Sequence, residues 1–254
     1  MIKCAALSDV GRKRKTNQDC YLENAQTGLY LLADGMGGHA AGAEAARLAV
    51  ATVDDFIKPV DASPEVSWPF GYDMQTSFEH NVLRTSLLLA NLRVCHAAEL
   101  SEQFAGMGST LVAVWIRGNK AFWTHVGDSR LYLLRNEELR QLTEDHSLVQ
   151  EQLRQGIITA EEARTHSLRH VVTRSVGSRD HFKVEVQERT LEEGDLFLLC
   201  CDGLTDKVED QELRQILLAG KNLESTCRSL VNAANEAGGD DNITVVLLRY
   251  DSSS

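Results

Sequence analysis

The amino-acid sequence predicts an α+β fold in which antiparallel β-sheets are covered by layers of helices. Short apolar segments of β type follow one another with brief turns between them, and they do not alternate regularly with helices. The helical segments occur in pairs between blocks of strands, which is typical of sheets with helices on their faces. The chain has 254 residues, and we expect one domain over residues 1–254, with a serine-rich tail at 252–254.

The first half of the chain combines early strands with two long helical segments. Strands are predicted at residues 3–8, 20–23 and 29–33. An alanine-rich segment predicts a helix over residues 40–57, and leucines at helical spacing predict a second helix over residues 77–100. All three prolines fall within residues 58–75, which we expect to form a long loop.

The second half is rich in β-type segments. Strands are predicted at residues 109–116, 121–126, 131–134, 139–142, 182–188, 195–201 and 243–250. Helices are predicted at residues 145–155, 159–165, 211–218 and 223–237. The second of these helices opens with a capping-box pattern from Thr159 to Glu162.

Composition and charge limit the classes of partner. A net charge of −11 argues against nucleic acid or an anionic membrane surface as the main partner. The six cysteines form no metal-binding spacing, which favours reduced thiols and a cytoplasmic location. No segment resembles a signal peptide or reaches the roughly 18 apolar residues of a membrane span. We expect a monomer, because the sequence shows no heptad seam.

A recurring pattern of an apolar strand beside an aspartate indicates a site that binds cations. Asp34 follows the apolar run 29–33 and precedes three glycines, and Asp202 follows a similar run. Asp128 also follows a strand, whereas Asp241 directly precedes one. If these strands are neighbours, their carboxylates converge, and like charges at short range require cations. A structural carboxylate network and a calcium site that only stabilises the fold are the alternatives.

The ligand types favour a particular metal and reaction. Oxygen ligands without equivalent His or Cys select Mg²⁺ or Mn²⁺ over Zn²⁺. A pair of such ions about 4 Å apart commonly hydrolyses phosphate esters. Four successive cations at residues 12–15 indicate a local anion site, with a solvated surface loop as the alternative. Within this run, Arg14 can offer a bidentate guanidinium to a phosphate.

Eight ordered motifs give the chain a resemblance to a known family. They lie at residues 8–19, 33–39, 106–111, 126–130, 142–147, 173–177, 201–204 and 241–245. With these motifs the sequence resembles the bacterial metal-dependent Ser/Thr protein phosphatases of the protein phosphatase 2C type. The resemblance implies a four-layer αββα sandwich, in which two central antiparallel sheets are flanked by helix pairs. It also implies a mobile flap at about residues 147–182.

The resemblance implies an activity and its partners. The expected enzyme hydrolyses phosphoserine and phosphothreonine in proteins with a water activated by a dinuclear Mn²⁺ or Mg²⁺ centre. No covalent phosphoenzyme is expected, because no Cys or His lies in a nucleophile motif. The expected partners are a phosphorylated protein and a cognate bacterial Ser/Thr kinase. The alternatives are a catalytically silent phosphoprotein-binding module on the same fold and a two-metal nuclease or nucleotide hydrolase.

The resemblance also implies the metal ligands. Asp34 is expected to bridge two ions, and the carbonyl of Gly35 completes the coordination of the first. Asp202 and Asp241 hold the second ion, and Asp241 is chosen over its neighbour because it precedes an asparagine. Asp128 together with Asp202 forms a weaker third site.

Further roles follow from the same resemblance. Arg14 is expected to hold the substrate phosphate, and Asp19 and Asn242 lie in the outer shell of the metal centre. His39 resembles the histidine proposed as the general acid for the leaving alkoxide, with a loop histidine as the alternative. His146 is expected to fix a turn. The loop at 58–75 resembles insertions in phosphatases linked to type VI secretion, although core packing by its aromatic residues explains it as well.

Overall fold

The computed structural model describes residues 1–62, 67–178 and 183–251. The predicted tail at 252–254 lies outside the described residues, as do residues 63–66 and 179–182. The described strands are β1 (Ile2–Asp9), β2 (Asp19–Asn24), β3 (Leu29–Met36), β4 (Gly108–Ser109), β5 (Leu111–Arg117), β6 (Lys120–Val126), β7 (Arg130–Arg135), β8 (Glu138–Gln141), β9 (Val186–Thr190), β10 (Leu196–Cys200) and β11 (Ile243–Tyr250).

The described helices include two long ones near the start of the chain and several shorter ones after them. They are α1 (His39–Ala62), α2 (Phe78–Leu100), α3 (Leu148–Arg154), α4 (Ala160–Thr165), α5 (Asp202–Thr205), α6 (Asp210–Ala219) and α7 (Leu223–Glu236). Within the described ranges, none of them combines the length and apolar character needed to cross a membrane.

The strands form two antiparallel sheets, as predicted. One sheet has the order β1-β11-β10-β7-β8, and the other has the order β2-β3-β5-β6-β9, with β4 paired to β3. Strands β1 and β11 pair along their whole length, from Ile2 opposite Tyr250 to Asp9 opposite Ile243. The strands nearest to both ends of the described chain therefore lie side by side in one sheet.

Three apolar layers hold the sandwich together. The middle layer lies between the two sheets and includes Tyr30, Leu32 and Phe197. Leu29 and Leu31 point to the opposite face of β3, into the layer beneath α1 and α2. Successive strand residues point to opposite faces, so a strand covered on both faces must be apolar throughout. This explains the continuous apolar run before Asp34, and the four-layer prediction is confirmed.

The third layer lies between the other sheet and the C-terminal helices, and it includes residues of β10, β11, α6 and α7. The two helix layers enclose the sheets from opposite sides.

Several predicted boundaries were wrong for physical reasons. Helix α1 continues to Ala62, so the first part of the predicted loop at 58–75 is helical. Burial of Ile57 and Val60 in the core stabilises this last turn, although Pro59 cannot donate a backbone hydrogen bond. Helix α3 begins later than predicted, because the Ser147 side chain caps it by accepting from the amide of Gln150.

Two elements near the site also differ from the predictions. The strand expected at 182–188 begins only at Val186 and extends to Thr190, which pairs with Lys120 of β6. The single-turn helix α5 was not predicted, because four residues are too few to show helical periodicity. This helix nevertheless begins at Asp202, so its position matters for the site.

Candidate metal centre

A cavity of about 900 Å³ lies where the ends of the two sheets meet. Its lining includes the four aspartates that were predicted as ligands, Asp34, Asp128, Asp202 and Asp241, together with two that were not, Asp206 and Asp240. Cationic side chains line the same cavity, namely Lys13, Arg14, Lys15, Arg169 and Lys207. The cavity therefore combines acidic groups suited to cations with basic groups suited to an anion.

Strand β3 fixes Asp34 through its backbone. The amide of Asp34 donates to Thr110 Oγ1 at 3.0 Å. Its carbonyl accepts from the amide of Thr110 at 2.8 Å and from Ser109 Oγ at 2.9 Å. Asp19 on β2 is its cross-strand neighbour. Two carboxylates are thus held side by side at the end of one sheet.

Asp202 and Asp241 come from adjacent strands of the other sheet. Asp202 follows β10, Asp241 precedes β11, and these two strands pair. A Cβ atom on Gly203 would lie 1.9 Å from the carbonyl oxygen of Asn242, so only glycine permits this approach. The Asp-Gly sequence therefore allows the turn after β10 to pack directly on the residues before β11.

Asn242 ties the basic loop to the metal centre. Its Nδ2 donates to the carbonyls of Val10 and Thr16, each at 3.0 Å. Its Oδ1 accepts from the amide of Gln18 at 2.8 Å. The side chain of Asn242 therefore holds the backbone of the loop that carries Arg14. Its role in the outer shell of the metal centre stays a prediction.

Gly35 occupies a crowded position between β3 and α1. A Cβ atom there would lie 2.0 Å from the carbonyl oxygen of Gly42 and 2.8 Å from that of Gln18. The glycine thus lets helix α1 start close to the end of the strand. His39 is the first residue of this helix, but its side chain lies outside the described residues, so its predicted role stays a prediction.

Asp19 lies beside Asp34 and Cys201. Asp19 Oδ2 accepts from Thr244 Oγ1 at 2.6 Å, while its buried Oδ1 has no hydrogen-bond partner among the described residues. Burial raises the pKa of Asp19 to about 6. Burial also raises the pKa of Cys201 well above its usual value. Mg²⁺ and Mn²⁺ prefer oxygen ligands to sulfur, so the carboxylates remain the candidate ligands.

The aspartates disfavour one another's charges. Burial first, then Asp19 and Asp202, raise the pKa of Asp34 well above its usual value. Burial and Asp128 do the same to the pKa of Asp202. Burial and Asp145 raise the pKa of Asp128 to about 6. A bound divalent cation would reverse these effects, because it stabilises each carboxylate in its charged form.

The residues present fit a group of divalent cations. Among the described side chains, Asp202 Oδ1 and Asp19 Oδ1 are buried without a hydrogen-bond partner. Buried carboxylate oxygens without partners are costly, and coordination of a cation would satisfy them. All the candidate carboxylates are hard oxygen donors, as Mg²⁺ and Mn²⁺ require.

The neighbouring aspartates 240 and 241 have different partners. Arg14 Nη2 donates to Asp241 Oδ2 at 2.7 Å. Asp240 is paired with Lys207 instead, and more than half of its side chain is exposed. The structure thus places Arg14 within the acidic cluster, in contact with a predicted metal ligand. It also supports the choice of Asp241 over Asp240 as that ligand.

Sequence reasoning missed two residues of the site. Asp206 follows Asp202 by four residues across helix α5, a spacing that places both on one face. That spacing was visible in the sequence and could have indicated the second carboxylate. His170 Nδ1 lies 3.2 Å from Asp206 Oδ2. No sequence signal pointed to His170, because its segment has no strand beside it.

His146 makes the turn contacts expected of it. Its Nδ1 accepts from the amide of Gly127 at 3.2 Å, and its own amide donates to the Gly127 carbonyl at 2.9 Å. Its ring stacks on His125 with a centroid distance of 4.6 Å. Burial lowers the pKa of His146 to about 4, so the ring is neutral and can accept this bond. His146 therefore fixes the turn that leads to Asp128.

Comparisons with known proteins agree with this geometry. The profile of the family described as protein phosphatase 2C matches residues 11–247. The chain belongs to the protein phosphatase 2C family. Protein phosphatase PhpP of Streptococcus pneumoniae is 40% identical over 255 residues, which cover 97% of each chain. The predicted family, fold and serine/threonine protein phosphatase activity are confirmed.

Solved structures of this family superpose along nearly the whole chain. One is the catalytic domain of the serine threonine protein phosphatase PstP in complex with two manganese ions, with a TM-score of 0.83, 33% identity and 99% coverage of each chain. Another is PppA, a key regulatory component of the type VI secretion system in Pseudomonas aeruginosa, with a TM-score of 0.80, 36% identity and 98% coverage of each chain.

Proposed function

We propose that this protein phosphatase 2C chain dephosphorylates phosphoserine and phosphothreonine in proteins at a dinuclear centre in the 900 Å³ cavity. Asp34 and the Gly35 carbonyl would hold one cation. Asp34 would also bind a second cation and so bridge the two, and Asp202 and Asp241 would complete the second site. Asp128 with Asp202 would hold a weaker third ion. The cations are Mn²⁺ or Mg²⁺, and they would supply activation of water and neutralisation of phosphoryl charge.

The convergence of the aspartates carries this proposal. Asp34, Asp202 and Asp241 come from distant parts of the sequence, yet they line one cavity. The buried Oδ1 atom of Asp202 lacks a partner among the described residues. A carboxylate network that only stabilised the fold would pair such an atom with a donor. This feature favours the catalytic interpretation over the structural one.

The protein residues position the reactants. Asp19 Oδ1 can accept a hydrogen bond from a water in the outer shell, while Thr244 keeps the other carboxylate oxygen fixed. Arg14 lies at the cavity wall, and its guanidinium has donors beyond the one directed at Asp241. We assign these donors to the phosphoryl oxygens. His39 remains our candidate for protonation of the leaving alkoxide.

The charge around the cavity supports a phosphorylated protein segment as substrate. The chain carries a net charge of −11, but Lys13, Lys15 and Arg169 line this opening. A doubly charged phosphate group is attracted to such a local cluster. We propose that the enzyme acts in the cytoplasm as a monomer and reverses a cognate Ser/Thr kinase. The similarity to PppA supports a link to type VI secretion as a hypothesis.

Hydrolysis of a phosphothreonine peptide tests the proposal. Phosphate release should require Mn²⁺ or Mg²⁺, stop with EDTA and be lost in Asp202→Asn. Asp240→Asn is the matched control, because Asp240 pairs with Lys207 outside the proposed ligand set, and it should retain activity. Release that survives in Asp202→Asn would refute the ligand assignment. No release with any metal would instead favour the silent phosphoprotein-binding module, and cleavage of single-stranded DNA would favour a nuclease.

A further inference from the structure

The basic loop, residues 10–17, fixes Arg14 through its backbone. The side chain of Arg14 is 52% exposed, so core packing does not hold it. Its direction therefore depends on where the loop places its backbone. The Asn242 side chain holds the loop at both ends, through the carbonyls of Val10 and Thr16. The middle of the loop, next to Arg14, has a different anchor.

The middle of the basic loop is attached to the end of helix α7. The carbonyl of Gly239 accepts from the amides of Arg12 at 2.7 Å and Lys13 at 3.2 Å, and its amide donates to the carbonyl of Ala234 at 3.0 Å. Gly239 has a φ of 56°. A Cβ atom there would lie 2.9 Å from the amide nitrogen of Arg12, so glycine permits the close approach. The turn after α7 thus packs directly on the two residues that precede Arg14.

Asn235 links the same helix end to the start of the basic loop. It lies in the last turn of α7 and is 8% exposed. Its Nδ2 donates to Asp9 Oδ1 at 3.2 Å, and the same oxygen accepts from the amide of Gly11 at 2.8 Å. A Cβ atom on Gly11 would lie 2.1 Å from the carbonyl oxygen of Asp241. Asn235 therefore holds the carboxylate that fixes the loop where it passes a proposed metal ligand.

The second polar atom of Asn235 shows that stability alone does not explain this residue. Asn235 Oδ1 is buried and has no hydrogen-bond partner among the described residues. A buried acceptor without a donor costs free energy, and residues that carry such a cost are expected at functional sites. Within the described structure, the side chain of Asn235 makes one hydrogen bond, to Asp9. We connect that bond to function.

We propose that Asn235 is a positioning residue for Arg14. Through Asp9 it fixes the turn at Gly11, and together with the Gly239 carbonyl this sets the place from which the guanidinium reaches the cavity. The inference rests on the phosphate-binding role of Arg14 given under the proposed function. Because that role concerns binding of the phosphorylated substrate, loss of the Asn235 link raises KM more than it lowers kcat.

Steady-state hydrolysis of a phosphothreonine peptide with Mn²⁺ tests the proposal. Asn235→Ala should raise KM by about 3- to 10-fold, less than Arg14→Ala, because the loop keeps its other anchors. Asn232→Ala is the matched control, since Asn232 is an exposed asparagine of the same helix, and it should leave KM unchanged. In an Arg14→Ala background, Asn235→Ala should raise KM by less than about 2-fold, because the group that it positions is gone.

Variants of Asp9 test the same link without altering α7. Asp9→Ala should resemble Asn235→Ala, whereas Asp9→Asn keeps an oxygen that can accept from Gly11 and should retain most of the natural KM. Hydrogen exchange of the backbone amides of residues 11–13 gives a readout that does not depend on turnover. Exchange should be faster in Asn235→Ala and unchanged in Asn232→Ala. Circular dichroism checks that each variant is folded.

The outcomes separate this inference from the proposed function. An unchanged KM in Asn235→Ala, or an equal rise with and without Arg14, would overturn the positioning role and leave the role of Arg14 standing. If Arg14→Ala itself left KM unchanged, the phosphate-binding role of Arg14 would fail. Faster amide exchange in Asn235→Ala would then still support the hold of Asn235 on the loop, and unchanged exchange would overturn that as well.

Discussion

The two walls of the cavity are built in opposite ways. On the sheet side, Asp34 is fixed by three hydrogen bonds from or to Ser109 and Thr110, and the strand before it is fully buried. On the flap side, helix α3 has no buried residue. The apolar side chains of Ile157 and Leu168 are 64% and 45% exposed. Few buried contacts mean low local stability, so we expect this segment to open more readily than the strands that carry the carboxylates.

The base of the flap limits this freedom. Ser147 and Val172 form an isolated antiparallel bridge, and the amide of Leu148 donates to Val171 at 2.9 Å. The start of the flap segment, near Ser147, is therefore held against the part of the segment near Val172. The carboxylates, which need a fixed spacing, therefore lie beside paired strands, whereas Arg169 and His170 line the cavity from the less stable segment.

Replacement of Asp34 by asparagine should have the largest effect of all. Loss of the bridging carboxylate should lower kcat/KM by more than about 100-fold, because removal of even an outer-shell partner costs 10- to 100-fold. The fold should remain intact, since the variant removes one of several repelling charges. Phosphopeptide kinetics with Mn²⁺ and circular dichroism check both expectations. Substantial turnover with a native spectrum would exclude the bridging role. The fixed position of Asp34 on the sheet side would then not be needed for catalysis.

Replacement of Arg14 by alanine should have the next largest effect. A charge-assisted hydrogen bond contributes about 1.5–3 kcal/mol, so kcat/KM should fall by about 10- to 100-fold, mainly through a higher KM. Arg12→Ala is the matched control from the same loop, because Arg12 does not line the cavity. If kcat alone fell, Arg14 would act in the transition state. Steady-state kinetics on the phosphothreonine peptide distinguish these cases.

The sheet side of the cavity could be predicted from the sequence, whereas the flap side could not. Asp34, Asp202 and Asp241 each adjoin a strongly apolar run, and pairing of buried strands brings such residues together. The contact between Arg14 and Asp241 depends on a loop held by the Asn242 side chain, which no local pattern reveals. His170 reaches the site through a segment without strand periodicity, so only the structure shows its contact with Asp206.

The same reasoning explains the misplaced boundary of α1. Pro59 indicated the end of a helix by its local chemistry, but Val60 is 8% exposed and belongs to the core beside the second sheet. Burial of an apolar side chain stabilises by about 1.5–3 kcal/mol, which is comparable to the cost of about 3 kcal/mol for an internal proline. Tertiary packing therefore competed with the local signal, and the sequence shows only the local signal.

The pH dependence of the metal-free protein should show the smallest effect and test the sheet side alone. Burial raises the pKa of Asp19 and of Asp128 to about 6, above the usual value of about 4. Between these values the folded state binds more protons than the unfolded state. The free energy of unfolding should therefore fall as pH rises from about 4 to about 6, by up to about 1.4 kcal/mol per pH unit for each carboxyl group.

Urea unfolding in EDTA at several pH values measures this dependence. Asp128→Asn should reduce the slope, because it removes one of the titrating carboxyl groups. Saturating Mn²⁺ should reverse the trend, since cations bind the ionised carboxylates and bind more tightly as pH rises. A metal-free protein that instead gained stability between pH 4 and 6 would show that the carboxylates are already paired with donors, and the sheet side would then need no cation.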